Sequence, residues 1–203
     1  MLFMGNTNRS FYTRLKDMLL LNICFIISCL PIITIGAAGV TMYSVLFNIS
    51  DKTSIIQSYT HRFRHNFKQS TLVWMLIIVI GTIIYLDYAV LGLLNIRFWI
   101  VSVVLYIDVY LVIGVASYSF GMIAMFNNST KQTIKNALIF CISMPIKTIF
   151  IVVVTLSPVI ILFFSINLLP AVIVFWLLFG FEICAEINAK KLKDTFDSFP
   201  VGE

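Results

Sequence analysis

Between Leu72 and Leu94 the chain reads LVWMLIIVIGTIIYLDYAVLGLL, 23 residues carrying one charge, Asp87. As a helix rising 1.5 Å per residue, this run is about 35 Å long and crosses a hydrocarbon core about 30 Å thick. Three further runs follow: Ile100–Met122, Ile149–Ile166 and Leu169–Ile187. Each falls near the 17–25 residues of a spanning helix. Asn95 and Arg97 separate the first pair, and Asn167 and Pro170 mark the turn of the second. The pattern predicts two membrane hairpins.

Working toward the N-terminus, Met18–Ile49 is a 32-residue apolar run. One straight helix of that length measures about 48 Å, too long for one span, while two full spans need about 40 residues. Its middle reads CLPIITIGAAG. Pro31 lacks an amide donor, and Gly36 and Gly39 suit a tight turn. A broken helix or short hairpin is expected over 18–49. Arg9, Arg14 and Lys16 precede this run and Ala37–Ala38 imitates a cleavage site, but Pro31 and the apolar residues after Gly39 favour retained structure.

The whole chain fits this reading. Of 203 residues, 60% are hydrophobic and 11% charged, against about 45–50% and about 25% in soluble globular proteins. A soluble enzyme, a disordered chain and a nucleic-acid binder are poor fits. Thirteen of the 14 Lys and Arg lie in the N-terminal segment, in the segments around 52–68 and 131–147, and at 190–193; only Arg97 stands apart. The positive-inside bias favours six spans over five, with both termini cytoplasmic. The expected fold is an all-α polytopic transmembrane bundle of five to six spans, with a cytoplasmic tail over 188–203.

Two polar segments punctuate the bundle. Residues 51–70, DKTSIIQSYTHRFRHNFKQS, place Ile55, Tyr59, Phe63 and Phe67 every four residues, with Arg62, Arg64, His65 and Lys68 opposite. Asp51, Thr53 and Ser54 suit a helix start. The expectation is an amphipathic helix on the cytoplasmic membrane face, over 51–70. A second such segment spans 128–144. There Asn128 or Ser129 can cap, Lys131 and Lys135 share one face, and Ile134, Leu138 and Cys141 share another. NFKQS (66–70) and TIKNA (133–137) match in residue character, as a weak parallel repeat would. Both segments suit either lipid or a docking partner, through Tyr59, Arg62, Phe63, Arg64, Phe67, Lys131, Lys135 and Leu138.

The strings LLLNICFIISCLPIITIGAAG (19–39), FRHNFKQSTLVWMLI (63–77) with Asp87-Tyr88 downstream, and SYSFGMIAMFNNSTKQTIKNALIF (117–140) resemble the YesL-like family of bacterial membrane proteins of unknown function. The resemblance covers roughly Asn22 to Ile187. Ala37 stands where the family often has Pro, and Met125 near a position where it often has Arg. Members are commonly associated with carbohydrate importers of the ATP-binding cassette type. The resemblance implies an accessory role beside ABC permease or ATPase subunits in the bacterial cell membrane, and supplies no catalytic residue.

Chemistry-bearing residues are few. Cys24, Cys29, Cys141 and Cys184 lie in apolar runs without metal-ligand spacing, and His61 and His65 sit among cations. No GxxxxGK[ST] occurs, so ATP hydrolysis would belong to another chain. No metal, cofactor or catalytic constellation is expected. Asp87 and Asp108 lie about 14 and 18 Å from the turn centred on Ile96, at a shared depth. They form a candidate intramembrane polar site, read either as a proton or cation relay or as hydrogen-bonding partners of Tyr88, Tyr106, Tyr110 or Ser117. Glu182, Glu186 and Lys190 repeat at i,i+4, as an ion-pair ladder leaving the membrane or a seat for a partner's basic residue. Small residues, among them Gly81, Gly92, Gly114, Ala116, Ser117, Ser119 and Gly121, are expected to let helices approach. The first functional expectation is a non-enzymatic accessory or scaffold subunit of a carbohydrate ABC importer. The alternative is an autonomous small transporter or channel using Asp87 and Asp108.

Overall fold

The computed structural model describes residues 11–48, 54–93, 99–164 and 169–198. Arg9, Asp51, Lys52, Thr53, Asn95, Ile96, Arg97 and Asn167, which entered the reading of topology, helix start and turns, lie outside them. The described residues are 94% helical and contain no strand. In order they form α1 (Phe11–Cys29), a 3-10 turn (Ile32–Thr34), α2 (Ile35–Phe47), α3 (Ile55–Leu93), α4 (Trp99–Met125), α5 (Thr130–Ser143), α6 (Pro145–Phe164), α7 (Leu169–Phe175), a π-helical turn (Trp176–Gly180) and α8 (Phe181–Asp197).

Pro31 ends α1, as its ring and missing N–H dictate. The Thr34 hydroxyl bridges the break, 2.6 Å from the Ser28 carbonyl and 2.7 Å from that of Pro31. Gly36 and Gly39 are not in this turn but inside α2. Gly36 serves close approach instead. A Cβ there would run into Trp74 Cβ and lie 3.0 Å from the Ser70 carbonyl of α3. Helix α2 is 13 residues, about 20 Å, too short to span a bilayer alone. Nearly all of it from Gly36 to Leu46 is buried, enclosed by α1, α3, α4 and α8. Its all-round apolarity reflects burial within protein.

Helix α3 corrects the expected separation of a surface helix (51–70) from a span (72–94). It runs unbroken for 39 residues, about 58 Å, because nothing in Gln69-Ser70-Thr71 interrupts a helix. The expected stripe also fails to stay on one face. Strict i,i+4 spacing advances 400°, so each step drifts about 40° at 3.6 residues per turn. The buried positions are Ile55, Tyr59, Asn66, Ser70 and Val73, while Phe67 has rotated outward. The same drift leaves Leu138 exposed on α5, where Thr133, Ala137, Phe140 and Cys141 are buried.

Helices α3 and α4 are antiparallel, with Trp74 against Phe120 and Gln69 Nε2 donating to the Asn128 carbonyl at 2.8 Å. Helices α6 and α8 are antiparallel too. Lys147 Nζ donates to Ser198 Oγ (3.2 Å), Lys191 Nζ stands over the Phe150 ring, and Asn188 Nδ2 donates to Thr155 Oγ1 (3.0 Å). Residues from 188 onward, expected as a tail, instead complete α8 to Asp197. Ala185, Ala189, Leu192 and Phe196 form a buried stripe at helical spacing, and Phe196 meets Tyr118, Phe126 and Phe140.

Ser129 caps α5, accepting from the Gln132 N–H. Pro145 starts α6 at N1, a position that tolerates its missing donor, and α6 turns 107° from α5. The Thr148 hydroxyl lies 2.9 Å from the Met144 carbonyl and 3.3 Å from that of Cys141, closing the elbow. Deeper in α6, Pro158 leaves the Val154 carbonyl without its helical donor. Ser157 Oγ donates to it at 2.7 Å.

By length and composition, three helical stretches can cross a membrane: Ile55–Gly92, Val103–Met125 and Pro170–Asp197; the bent α5–α6 pair makes a fourth if it is one broken span. This is three or four against the five or six expected. Apolar residues along distal α3 and early α4 are about half exposed, among them Val79, Ile83, Leu86, Val104 and Ile107. Such a surface fits contact with lipid. Gly81 and Gly92, on that outer stretch, have no neighbour within 4 Å of a Cβ position, whereas Gly114 and Gly121 admit Cys141, Thr148 and Leu192.

Gly36→Ala is expected to destabilise the bundle by about 1–3 kcal/mol through overpacking. Gly39→Ala, whose Cβ would meet Phe120 at an ordinary 3.5 Å, should be neutral or stabilising by up to about 1 kcal/mol. Thermal unfolding of both variants in detergent checks the contrast.

Candidate functional site

Asp87 and Asp108, paired by depth, line one cleft of about 480 Å³ between α3 and α4, with Ile84, Tyr88, Leu91 and Leu105. Asp87 is exposed and Asp108 half-buried. Tyr88 shares the cleft wall. Tyr110 is committed elsewhere, donating to the Cys141 carbonyl at 3.2 Å, Tyr106 is exposed and Ser117 is buried. The cleft is flanked by the outward apolar residues Ile83, Leu86 and Val90.

A fully enclosed polar site lies where α1 meets the last helix. A π turn is wider than an α turn and disturbs the i→i−4 ladder. Here Trp176–Gly180 is π-helical, and the fully buried Asn22 satisfies the groups around it. Asn22 Nδ2 donates to the carbonyls of Trp176 (3.1 Å) and Leu177 (2.8 Å), while its Oδ1 accepts from the Glu182 N–H at 3.0 Å. Gly180 has no Cβ to collide with the Trp176 indole. Phe181 packs between Trp176 and Phe25.

Just beyond the turn, Glu182 and Glu186 are both fully buried, at 0% exposure. This corrects the ladder leaving the membrane. Its Glu186–Lys190 rung forms, Glu186 Oε1 to Lys190 Nζ at 3.8 Å. Both Glu182 carboxyl oxygens are enclosed without a hydrogen-bond partner among the described residues. Further along, Ser157 and Cys184 are 3.3 Å apart. A buried carboxyl in this setting is costly as a bare charge. Asn22 went unweighed in the sequence, although a lone amide inside LLLNICF was a signal, since intramembrane polar residues face the bundle interior.

The expected docking residues divide. Tyr59 is 4% exposed and belongs to the core, so it is unavailable to a partner. Phe63 is half-buried against the core and stacks on Tyr59, while Phe67 is exposed. Arg64 is exposed; Arg62 is half-buried and donates through Nη1 to Ser44 Oγ at 3.1 Å. On α5, Lys131, Lys135, Leu138 and Ile142 form one exposed face, and Ile146 beyond the elbow is 83% exposed. Among the described residues, no group of three or more His, Cys, Asp or Glu could hold a metal ion.

Residues 18–88 match a family described as "Protein of unknown function, DUF624". Neither the curated proteins nor the solved structures contain a match to this chain. The matched stretch covers most of α1, all of α2 and most of α3. It includes Asn22, Gly36 and Arg62, but not Asp108, Glu182 or α5.

Asn22→Leu removes two donors and one acceptor from buried or half-buried backbone groups. It should cost about 2–4 kcal/mol, judged from the penalty for unsatisfied buried groups. Thr82→Ala, which deletes only an exposed bond to the Ile78 carbonyl, should be near neutral. Thermal melts in detergent distinguish them; equal melting temperatures would remove the clamp from the account.

Proposed function

We propose that this chain is a non-enzymatic accessory subunit of the bacterial cell membrane. In this reading it docks onto the permease or ATPase subunits of a carbohydrate ABC importer. The observation that supports it most is the α5–α6 elbow. If α6 stands along the membrane normal, a 107° bend lays α5 close to the membrane plane. Its exposed face then joins Lys131 and Lys135 to Leu138 and Ile142 at the boundary between headgroups and acyl chains, as in interfacial helices. Such a face suits a membrane-embedded partner better than a soluble one, because two cations run on into two apolar residues along a single stripe. The positive-inside bias favours the cytoplasmic side for this elbow, the Arg62–Lys68 segment and both termini. Six spans would require α1 and α2 to cross as a short pair.

Gentle detergent purification followed by mass spectrometry tests the assignment. Permease or ATPase subunits should co-purify with the wild-type chain, and Lys131→Glu/Lys135→Glu should reduce their recovery several-fold without lowering the chain's own yield. Recovery of this chain alone under several lipid conditions would overturn it.

A second reading, a small transporter or channel, draws on the shared cleft of Asp87 and Asp108. It predicts solute or proton flux in liposomes that Asp87→Asn abolishes. Since Asp87 is exposed, this substitution leaves packing intact, and undiminished flux in the variant removes the site.

A further inference from the structure

Near the start of α3 and the end of α4, the C-terminal ends of α2 and α4 and the side of α3 enclose a pocket of about 270 Å³. Its walls carry Arg62, His61, His65, Asn48 and Asn127, and Ile123 and Ala124 close it on an apolar side. No Asp or Glu lines it among the described residues. Arg62 does not swing freely. Its Nη1 is held by Ser44 Oγ at 3.1 Å, and Ser44 is itself 2% exposed on the enclosed helix α2. Asn48 is tied back by Nδ2 to the Ser44 carbonyl at 3.1 Å, and His65 Nδ1 lies 3.0 Å from Asn66 Oδ1. A guanidinium is a five-donor fork with no acceptor, so the bond to Ser44 leaves most of its donors without a partner among the described residues.

We propose that this pocket binds a phosphate group. A guanidinium, two imidazoles and side-chain amides of three elements surround one small volume. A tetrahedral oxyanion offers three or more acceptor oxygens to such a set, where a carboxylate offers two. Arginine's planar fork is the side chain best matched to phosphate. The phosphate is carried by a phospholipid headgroup or by a small soluble phosphate. The site stands on this geometry alone and does not depend on the docking reading.

The experiment uses the full chain in detergent and in nanodiscs. Inorganic phosphate and glycerol 3-phosphate are titrated by thermal stabilisation, and phosphatidylglycerol is compared with phosphatidylcholine by native mass spectrometry. Saturable phosphate-dependent binding is expected, weakened about tenfold or more by Arg62→Gln, the scale of a lost charge-assisted hydrogen bond. His61→Gln changes an exposed side chain and keeps the test sound if Arg62→Gln folds poorly; it should weaken binding several-fold. Arg64→Gln, outside the pocket, should leave binding unchanged. Preference for phosphatidylglycerol, competed by glycerol 3-phosphate, identifies a lipid headgroup. Binding of inorganic phosphate without lipid preference identifies a soluble ligand. Acetate competing as well as phosphate would overturn the proposal, as would wild-type binding in Arg62→Gln and His61→Gln.

Discussion

Backbone N–H and C=O groups in apolar surroundings must find partners inside the protein, and this constraint governs each irregularity of the bundle. At the Pro31 break, the Thr34 hydroxyl reaches the Ser28 carbonyl. At the α5–α6 elbow, Thr148 reaches Met144 and Cys141. Pro158 orphans the Val154 carbonyl, and Ser157, its immediate neighbour, takes it. The π turn at Trp176–Gly180 recruits Asn22 from a helix more than 150 residues away in sequence. The first three remedies are local, so they keep a helix intact wherever it packs. The fourth is not. It holds α1 against the last helix, and the turn and the amide make sense only together.

The π turn also sets what the last helix buries. A single-turn π bulge acts as one inserted residue, and one residue rotates all that follows by about 100°. Ahead of it, Ile173, Val174 and Phe175 face outward. Beyond it, Ala185, Ala189, Leu192 and Phe196 face the core. The same rotation carries Glu182 and Glu186 inside. A straight α-helix read from the sequence cannot place both stripes at once, and this is why Glu182 looked like the start of a surface ladder.

The helical class and the apolar stretches suited to a membrane were legible, because 23 residues such as Leu72–Leu94 with one charge leave few alternatives. A cap at Asn128 or Ser129 was legible too, and Ser129 supplies it. Three things were not. Apolarity alone does not separate lipid contact from burial, so α2 reads like a short span although protein surrounds it. Strict i,i+4 counting overextends a stripe by about 40° per step, which moved Tyr59 into the core and left Phe67 and Leu138 outside. Depth along a helix says nothing of rotation about it. Asp87 and Asp108 do line one cleft, but the fully buried carboxyls of the described structure are those of Glu182 and Glu186.

These two acidic places differ physically. Asp87 stands at an open cleft beside half-exposed apolar side chains, where water, headgroups or a partner can relieve its charge. Glu182 has no such access and is fixed at its own N–H by Asn22. Any movement that straightens the π turn into regular helix would release Asn22 from Trp176 and Leu177 and rotate Glu182 with α8. Glu182, the Asn22 clamp and the packing of Leu192 and Phe196 therefore form one mechanical unit. By contrast, the exposed elbow residues Lys131 and Lys135 and the exposed Asp87 lie outside it. The fold thus separates a core in which these irregular turns are locked from the polar groups at its edges.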